Sequence, residues 1–177
     1  MPMNLKFEQV DLGRHREVLT RFNIAYLDWA AAEVEKRFAL SLAGLLGTTI
    51  PAYVDGALDK LCEGTPPTGV FYLALDGDTA IGMGGLRQVS EGVAEIKRIY
   101  VSETVRGGGV GAKVLDRLVQ DARAFGYREL VLDTGPFMTS AHRLYEAAGF
   151  VDIPPYPGAE VPEALHHDWR FMRCLLR

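Results

Sequence analysis

Only two of the 177 residues are cysteine, Cys62 and Cys174, so neither a disulfide framework nor a cysteine metal spacing is available. Basic charge is short as well: 19 Lys and Arg stand against 23 Asp and Glu, a net charge of −4. A protein that binds nucleic acid by neutralising phosphates needs the opposite balance. No apolar run approaches the roughly 20 residues that cross a bilayer. The opening Met-Pro-Met-Asn-Leu-Lys-Phe-Glu holds no secretory hydrophobic region. A cytoplasmic protein with no nucleic-acid or membrane partner is the expectation. Repeats, linkers and low-complexity tracts are also lacking, and the length suits one domain over residues 1–177 with a substantial core.

What the chain does hold is clear periodicity. Leu5 to Val10 alternates and reads as a strand. From Gly13 to about Phe38 apolar residues recur at helical spacing: Val18, Phe22, Ala25, Tyr26, Trp29 and Ala30. Leu40 to Leu46 is a short turn or helix interrupted by Gly44. Thr49-Ile-Pro51 starts another helix, with Pro51 tolerated in the first turn, and Gly64 stops it. Three strands follow, Val70 to Leu75, Ala80 to Leu86 and Val93 to Val101. The turns between them are short, which predicts an antiparallel meander. Gly82, Gly84 and Gly85 inside the middle strand predict a bulge or a close backbone approach.

Four glycines then arrive within five positions, in Arg106-Gly-Gly-Gly-Val-Gly-Ala112, directly before the clearest amphipathic helix of the chain. On that helix Val110, Val114, Leu118 and Ala122 share one face, and Gly126 closes it. A helix start leaves N–H donors unpaired at the positive end of the macrodipole, so a glycine-rich turn there can hold a phosphate. A P-loop is excluded because no Gly-Lys-Ser/Thr follows. A dinucleotide fingerprint fits Gly107-x-Gly109-x-x-Ala112 in letters, with Asp133 as the ribose carboxylate, but it should follow the first parallel strand of a βαβ unit rather than a meander. A pyrophosphate loop after the fourth strand is the third reading. Beyond it come a short strand (Leu130 to Asp133), a helix (Ser140 to Ala148) and two last strands (Phe150 to Ile153 and Trp169 to Leu176).

Ala94-Glu-Ile-Lys-Arg-Ile-Tyr-Val101, the glycine loop and Leu144-Tyr-Glu-Ala-Ala-Gly-Phe150 together resemble the motifs of the GNAT N-acetyltransferase superfamily, best over residues 70 to 153. The resemblance implies an α/β fold with a mixed, mainly antiparallel central sheet and helices on both faces. It implies an acetyl-CoA co-substrate whose pyrophosphate lies on the backbone of Arg106, Gly107, Gly108, Gly109, Val110, Gly111 and Ala112. The pantetheine arm would pair with Ile99, Tyr100 and Val101, where strands four and five part. Many members carry Asn where this chain has Met138, three residues before Ala141, so no side-chain hydrogen bond to the cofactor is expected there.

Amine acetylation needs a deprotonated nucleophile, a stabilised oxyanion and a protonated leaving thiolate. No serine or cysteine paired with histidine is evident, so direct attack by the amine is expected. By the resemblance, Tyr145 is the acid, and Glu95, eleven residues before Arg106, is the base. The plain alternatives are a core tyrosine and a glutamate paired with Lys97 or Arg87. The oxyanion donor would be a backbone N–H near Tyr100, where the family has a strand bulge. Tyr26, Trp29 and Tyr53 lie on the helices that cover the acceptor side in this family, and an aromatic wall suits a cation or an apolar amine. Helix packing is the competing reading for all three. His166-His167 reads as a solvated loop, not a metal site. A non-catalytic acyl-CoA sensor and a dinucleotide-binding protein stay open beside the transferase. The acceptor, a small-molecule or peptide amine, and the oligomeric state are not legible, although dimers are frequent in the family.

Overall fold

The apolar run after Gly69 dictates the layering. In the computed structural model, which describes residues 2–177, Val70–Asp76 is a strand whose first five residues are all buried. Val70, Tyr72 and Ala74 enter one core, while Phe71 and Leu73 enter another on the opposite face. A strand buried on both faces has no polar side to show, and it needs helices above and below.

Seven strands form one sheet: β1 (Leu5–Gln9), β2 (Val70–Asp76), β3 (Thr79–Ser90), β4 (Val93–Val101), β5 (Glu129–Thr134), β6 (Val151–Ile153) and β7 (Arg170–Leu175). The first four are antiparallel neighbours, as the short turns predict. β4 and β5 are parallel, and β7 inserts between β5 and the edge strand β6. Helices α1 (Leu12–Phe38), α2 (Leu42–Leu46) and α3 (Ile50–Leu61) pack on one face. α4 (Val110–Ala124) and α5 (Thr139–Ala147) supply the other core. The class is the mixed, mainly antiparallel α/β fold expected from the sequence.

Local chemistry sets the boundaries. Asp11 caps α1 by accepting from the Gly13 N–H at 2.8 Å, and Thr49 caps α3 from the Ala52 N–H at 3.3 Å, with Pro51 in the first turn. One reading of α1 needs correction. Its buried stripe is Leu19, Phe22, Asn23, Leu27, Ala30 and Val34, while Ala25 is exposed and Trp29 is 38% exposed. Apolar residues surround this 27-residue helix on several sides, and its spacing alone does not select the core-facing side.

The β3 glycines meet the expected close approach, and the bulge opposite them lies on β4. A Cβ on Gly82 would lie 2.8 Å from the Tyr100 carbonyl, one on Gly84 would lie 2.6 Å from Val114 Cγ1, and one on Gly85 would overlap the Phe71 ring. The β3–β4 register also slips there: Met83 faces Tyr100, but Gly85 faces Lys97. The extra residue makes a bulge at Arg98, which holds φ +55°.

Candidate active site

A wedge in the sheet creates the site. β4 and β5 pair only from Val93–Glu129 to Glu95–Val131. Beyond Glu95 the strands part, and the second half of β4 has no neighbour on that side. The chain then turns through Ser102 to Gly109 into α4. Gly109 is the residue before that helix, with φ +78°, and Gly107 has φ +84°. These conformations are why glycine is needed: a Cβ at either position would meet nothing within 4 Å, so space is not the reason. No side chain caps α4, so its first N–H groups face outward without a partner from the helix.

A cavity of about 540 Å³ runs from this loop into the wedge. Its wall includes Ile99, Tyr100, Val101, Arg106, Gly107, Gly109, Val110, Gly111 and Ala112, and also Tyr26, Trp29, Met138 and Tyr145. Gly108 is not in the wall; its N–H donates to the Val105 carbonyl at 3.3 Å. Arg106 folds back on the mouth: its Nε donates to the Val101 carbonyl at 3.1 Å, and its guanidinium stacks over Tyr100 and Trp29. Tyr145 is buried, packs on Phe150, and its hydroxyl has no hydrogen-bond partner among the described residues. Burial pushes that phenol well above its ordinary range. Ala148, directly after α5, is exposed.

A second, smaller cavity of about 90 Å³ adjoins the first. Tyr26, Ile96, Arg98, Asp133 and Met138 line both, while Tyr53, Glu95, Lys97 and Glu160 line only the smaller one. Trp29 lines only the larger, packed edge-on against Phe137 at 5.3 Å. Desolvation raises the Tyr26 phenol to about 12 and moves Tyr53 the same way.

Glu95 is 1% exposed and held from two sides. Arg87 Nε donates to one oxygen at 3.1 Å, Tyr156 OH donates to the other at 2.7 Å, and Lys97 Nζ stands 3.7 Å away. Lys97 also bonds Glu160, whose other oxygen accepts from Arg98 Nη2 at 3.1 Å. Burial would raise Glu160, but Arg98 and Lys97 outweigh it and hold its carboxyl at about 2. Asp133 goes the other way. Burial, and then the charge of Glu95, lift it to about 6, although Trp169 Nε1 donates to Oδ1 at 3.0 Å.

Sequence reasoning named Asp133 only as a possible ribose carboxylate and passed over Arg98 and Glu160. Arg98 carried one signal, its place in the strand just before Tyr100. Glu160 lies in the Pro-rich stretch between β6 and β7, where nothing in the spacing points back to β4. Met138 stands directly before α5 without a capping hydrogen bond, and its sulfur accepts weakly from Tyr26 OH at 3.9 Å and Thr134 Oγ1 at 3.6 Å. His166 Nε2 contacts the Val161 carbonyl at 3.0 Å, and no metal-binding cluster of His, Cys, Asp or Glu exists among the described residues.

Known proteins are similar to this chain in family and in fold. Residues 43–150 match the family model described as the acetyltransferase (GNAT) family. A protein named IAA acetyltransferase in Azospirillum brasilense is 35% identical over 112 residues, which are 63% of this chain and 72% of that protein. An uncharacterised N-acetyltransferase of Bacillus subtilis, YsnE, is 33% identical over 66% of this chain and 88% of its own length. Among solved structures, PaiA N-acetyltransferase from Thermoplasma acidophilum in complex with coenzyme A aligns over 98% of this chain and 100% of its own, with TM-score 0.72 at 15% identity. A GNAT acetyltransferase from Elizabethkingia anophelis with acetyl-CoA bound covers 98% and 99%, with TM-score 0.61 at 20% identity. The wedge and the unpaired start of α4 fit the acyl-CoA expected from the motifs, and with the matched relatives they lead to one conclusion: this chain belongs to the GNAT family and is an acetyl-CoA-dependent N-acetyltransferase.

Proposed function

We propose that the whole chain acts as one catalytic domain that moves the acetyl group of acetyl-CoA to a primary amine by direct attack in a ternary complex. The observation that carries this reading is the continuous cavity from the glycine loop to Tyr145, with a second cavity opening beside it. The first Nα-side N–H groups of α4 would hold the pyrophosphate, and Ile99 to Val101 would pair with the pantetheine arm. The thioester would then lie between β4 and Tyr145.

The neutral amine attacks the thioester carbon, and the carbonyl oxygen becomes an oxyanion near the backbone of the β4 bulge. The carbon–sulfur bond then breaks. Tyr145 OH gives its proton to the leaving thiolate, and the amine gives up a proton to a carboxylate. The products are the N-acetylated amine and coenzyme A. The upward shift of Tyr145 keeps its hydroxyl protonated until the thiolate leaves. Glu95 is the base in this reading, working through water, because its oxygens are engaged by Arg87 and Tyr156. A second reading makes Asp133 the base, favoured by its position in the wall of both cavities and its carboxyl at about 6. Tyr26 and Tyr53 flank the acceptor, and Trp29 shields the thioester side.

The test is a screen of amines with acetyl-CoA that follows free thiol and identifies the N-acetylated product by mass. Turnover with at least one amine is the expected result. Acetyl-CoA binding without turnover across amino acids, polyamines, aryl-alkyl amines and peptide N-termini would favour a sensor.

A further inference from the structure

Arg98 is an unusual residue to find where it stands. Its side chain is 9% exposed, it sits on the β4 bulge at φ +55°, and it lines both cavities. Nη2 is used by Glu160, yet Nη1 is buried with no hydrogen-bond partner among the described residues. A buried guanidinium N–H left unpaired costs on the order of 1–3 kcal/mol or more, and Arg is the side chain whose planar fork suits a carboxylate.

The neighbours bear on what could fill that place. Glu160 is already shared between Lys97 and Arg98, and Glu95 is held by Arg87 and Tyr156. Asp133 shares the junction with Arg98, and among the described residues its one hydrogen-bond donor is the uncharged Trp169 indole. The junction therefore offers one unengaged cationic donor and one carboxylate without a cationic partner. A molecule with an anionic and a cationic group a few bonds apart satisfies both at once, while a plain amine leaves Arg98 Nη1 unpaired.

We infer that the acceptor is a free amino acid, whose carboxylate bonds Arg98 Nη1 and whose amine lies beside Asp133, facing the thioester. This rests on the acetyl-transfer reading above and narrows its substrate class. Arg98 selects for the carboxylate and takes no part in the proton transfers.

The experiment compares amino acids with their decarboxylated amines and their carboxamides: leucine, isopentylamine and leucinamide; phenylalanine, phenethylamine and phenylalaninamide. Thiol release with acetyl-CoA gives kcat/KM, and calorimetry with saturating coenzyme A gives acceptor affinity without turnover. The best acid should exceed its amine and amide by on the order of a hundredfold or more, because the shortened analogues leave a buried donor unpaired. R98Q should collapse the ratio of acid to amine kcat/KM, mainly by raising the KM of the acid, and R98K should restore part of that ratio. Melting curves check that both variants fold, and the acid-to-amine comparison on the parent protein needs no variant. If amines or amides match the acids, the inference is overturned while the transferase stands. If nothing turns over here or in the wider amine screen, the transfer reading fails, and calorimetry decides separately: acids that bind the parent and not R98Q uphold the Arg98 site, and acids that do not bind overturn it.

Discussion

At the scale of single residues, Tyr145 presents a hydroxyl without a protein partner at the cavity wall, so its removal tests chemistry with little disturbance of packing. Tyr145→Phe keeps the ring against Phe150, and kcat should fall about a hundredfold, the low end for a positioned acid because the leaving thiol is itself fairly acidic. Affinity for acetyl-CoA should hardly change. A joint loss of kcat, affinity and melting temperature would instead make Tyr145 a packing residue. The two carboxylates are separated by the acidic limb of kcat/KM. If Glu95 is the base, Glu95→Gln lowers the rate and removes or moves the limb; if Asp133 is, the limb lies near pH 6 and Asp133→Asn abolishes it. Asp133 also makes a stability prediction. Its folded value, about 6, is raised above the ordinary 3.8, so the fold holds a proton there that the unfolded chain has released. The cost is absent below pH 4, grows as pH rises towards 6, and is complete above it, at most about 3 kcal/mol. Asp133→Asn keeps an acceptor for Trp169 and should melt higher than the parent at pH 8, with the gap narrowing at pH 5. An equal gap at both values would mean that Asp133 titrates normally.

At the scale of elements, the turn into α4 matters most. Gly109 at φ +78° puts the first N–H groups of α4 at the cavity, and no side chain competes for them. Gly109→Val forces a β-branched residue into the left-handed region, which costs on the order of 1–2 kcal/mol. Since a Cβ there meets no protein atom, the chain relieves the strain by moving the loop. The expected outcome is a folded protein that has lost its acetyl-CoA-induced rise in melting temperature. Binding as tight as the parent's would remove this loop from the phosphate site. The four-residue repeat of α4 was fully legible, and Val110, Val114, Leu118 and Ala122 are all buried. α1 was legible as a helix but not in its facing, because Tyr26 and Trp29 are apolar residues that also line the larger cavity.

At the scale of the whole molecule, the sheet has one parallel pair, β4 with β5, and that pair opens after three residue pairs. A doubly wound dinucleotide fold needs several parallel strands side by side. Acetyl-CoA should therefore stabilise the fold by mass action, by about 2.7 kcal/mol at a hundred times Kd, and so raise the melting temperature, while NAD should leave it unchanged. A larger shift with NAD would reverse the reading of the loop. Among the described residues no helix is long and apolar enough to cross a membrane.

The sequence alone determined what depends on neighbours along the chain. Helix periodicity, the helix start at Thr49, the glycines that need positive φ and the meander with its short turns are all local, and so is the strand-to-helix glycine turn before α4. Tertiary structure decided what depends on residues far apart. β7 pairs between β5 and β6, and Glu160, 62 residues after Arg98, reaches back to it. The environment of Asp133 follows from burial and from Glu95, which is on a different strand. Desolvation and charge act through space, and the same letters in the chain give an ordinary carboxylate or a raised one according to which side chains the folded sheet brings beside it.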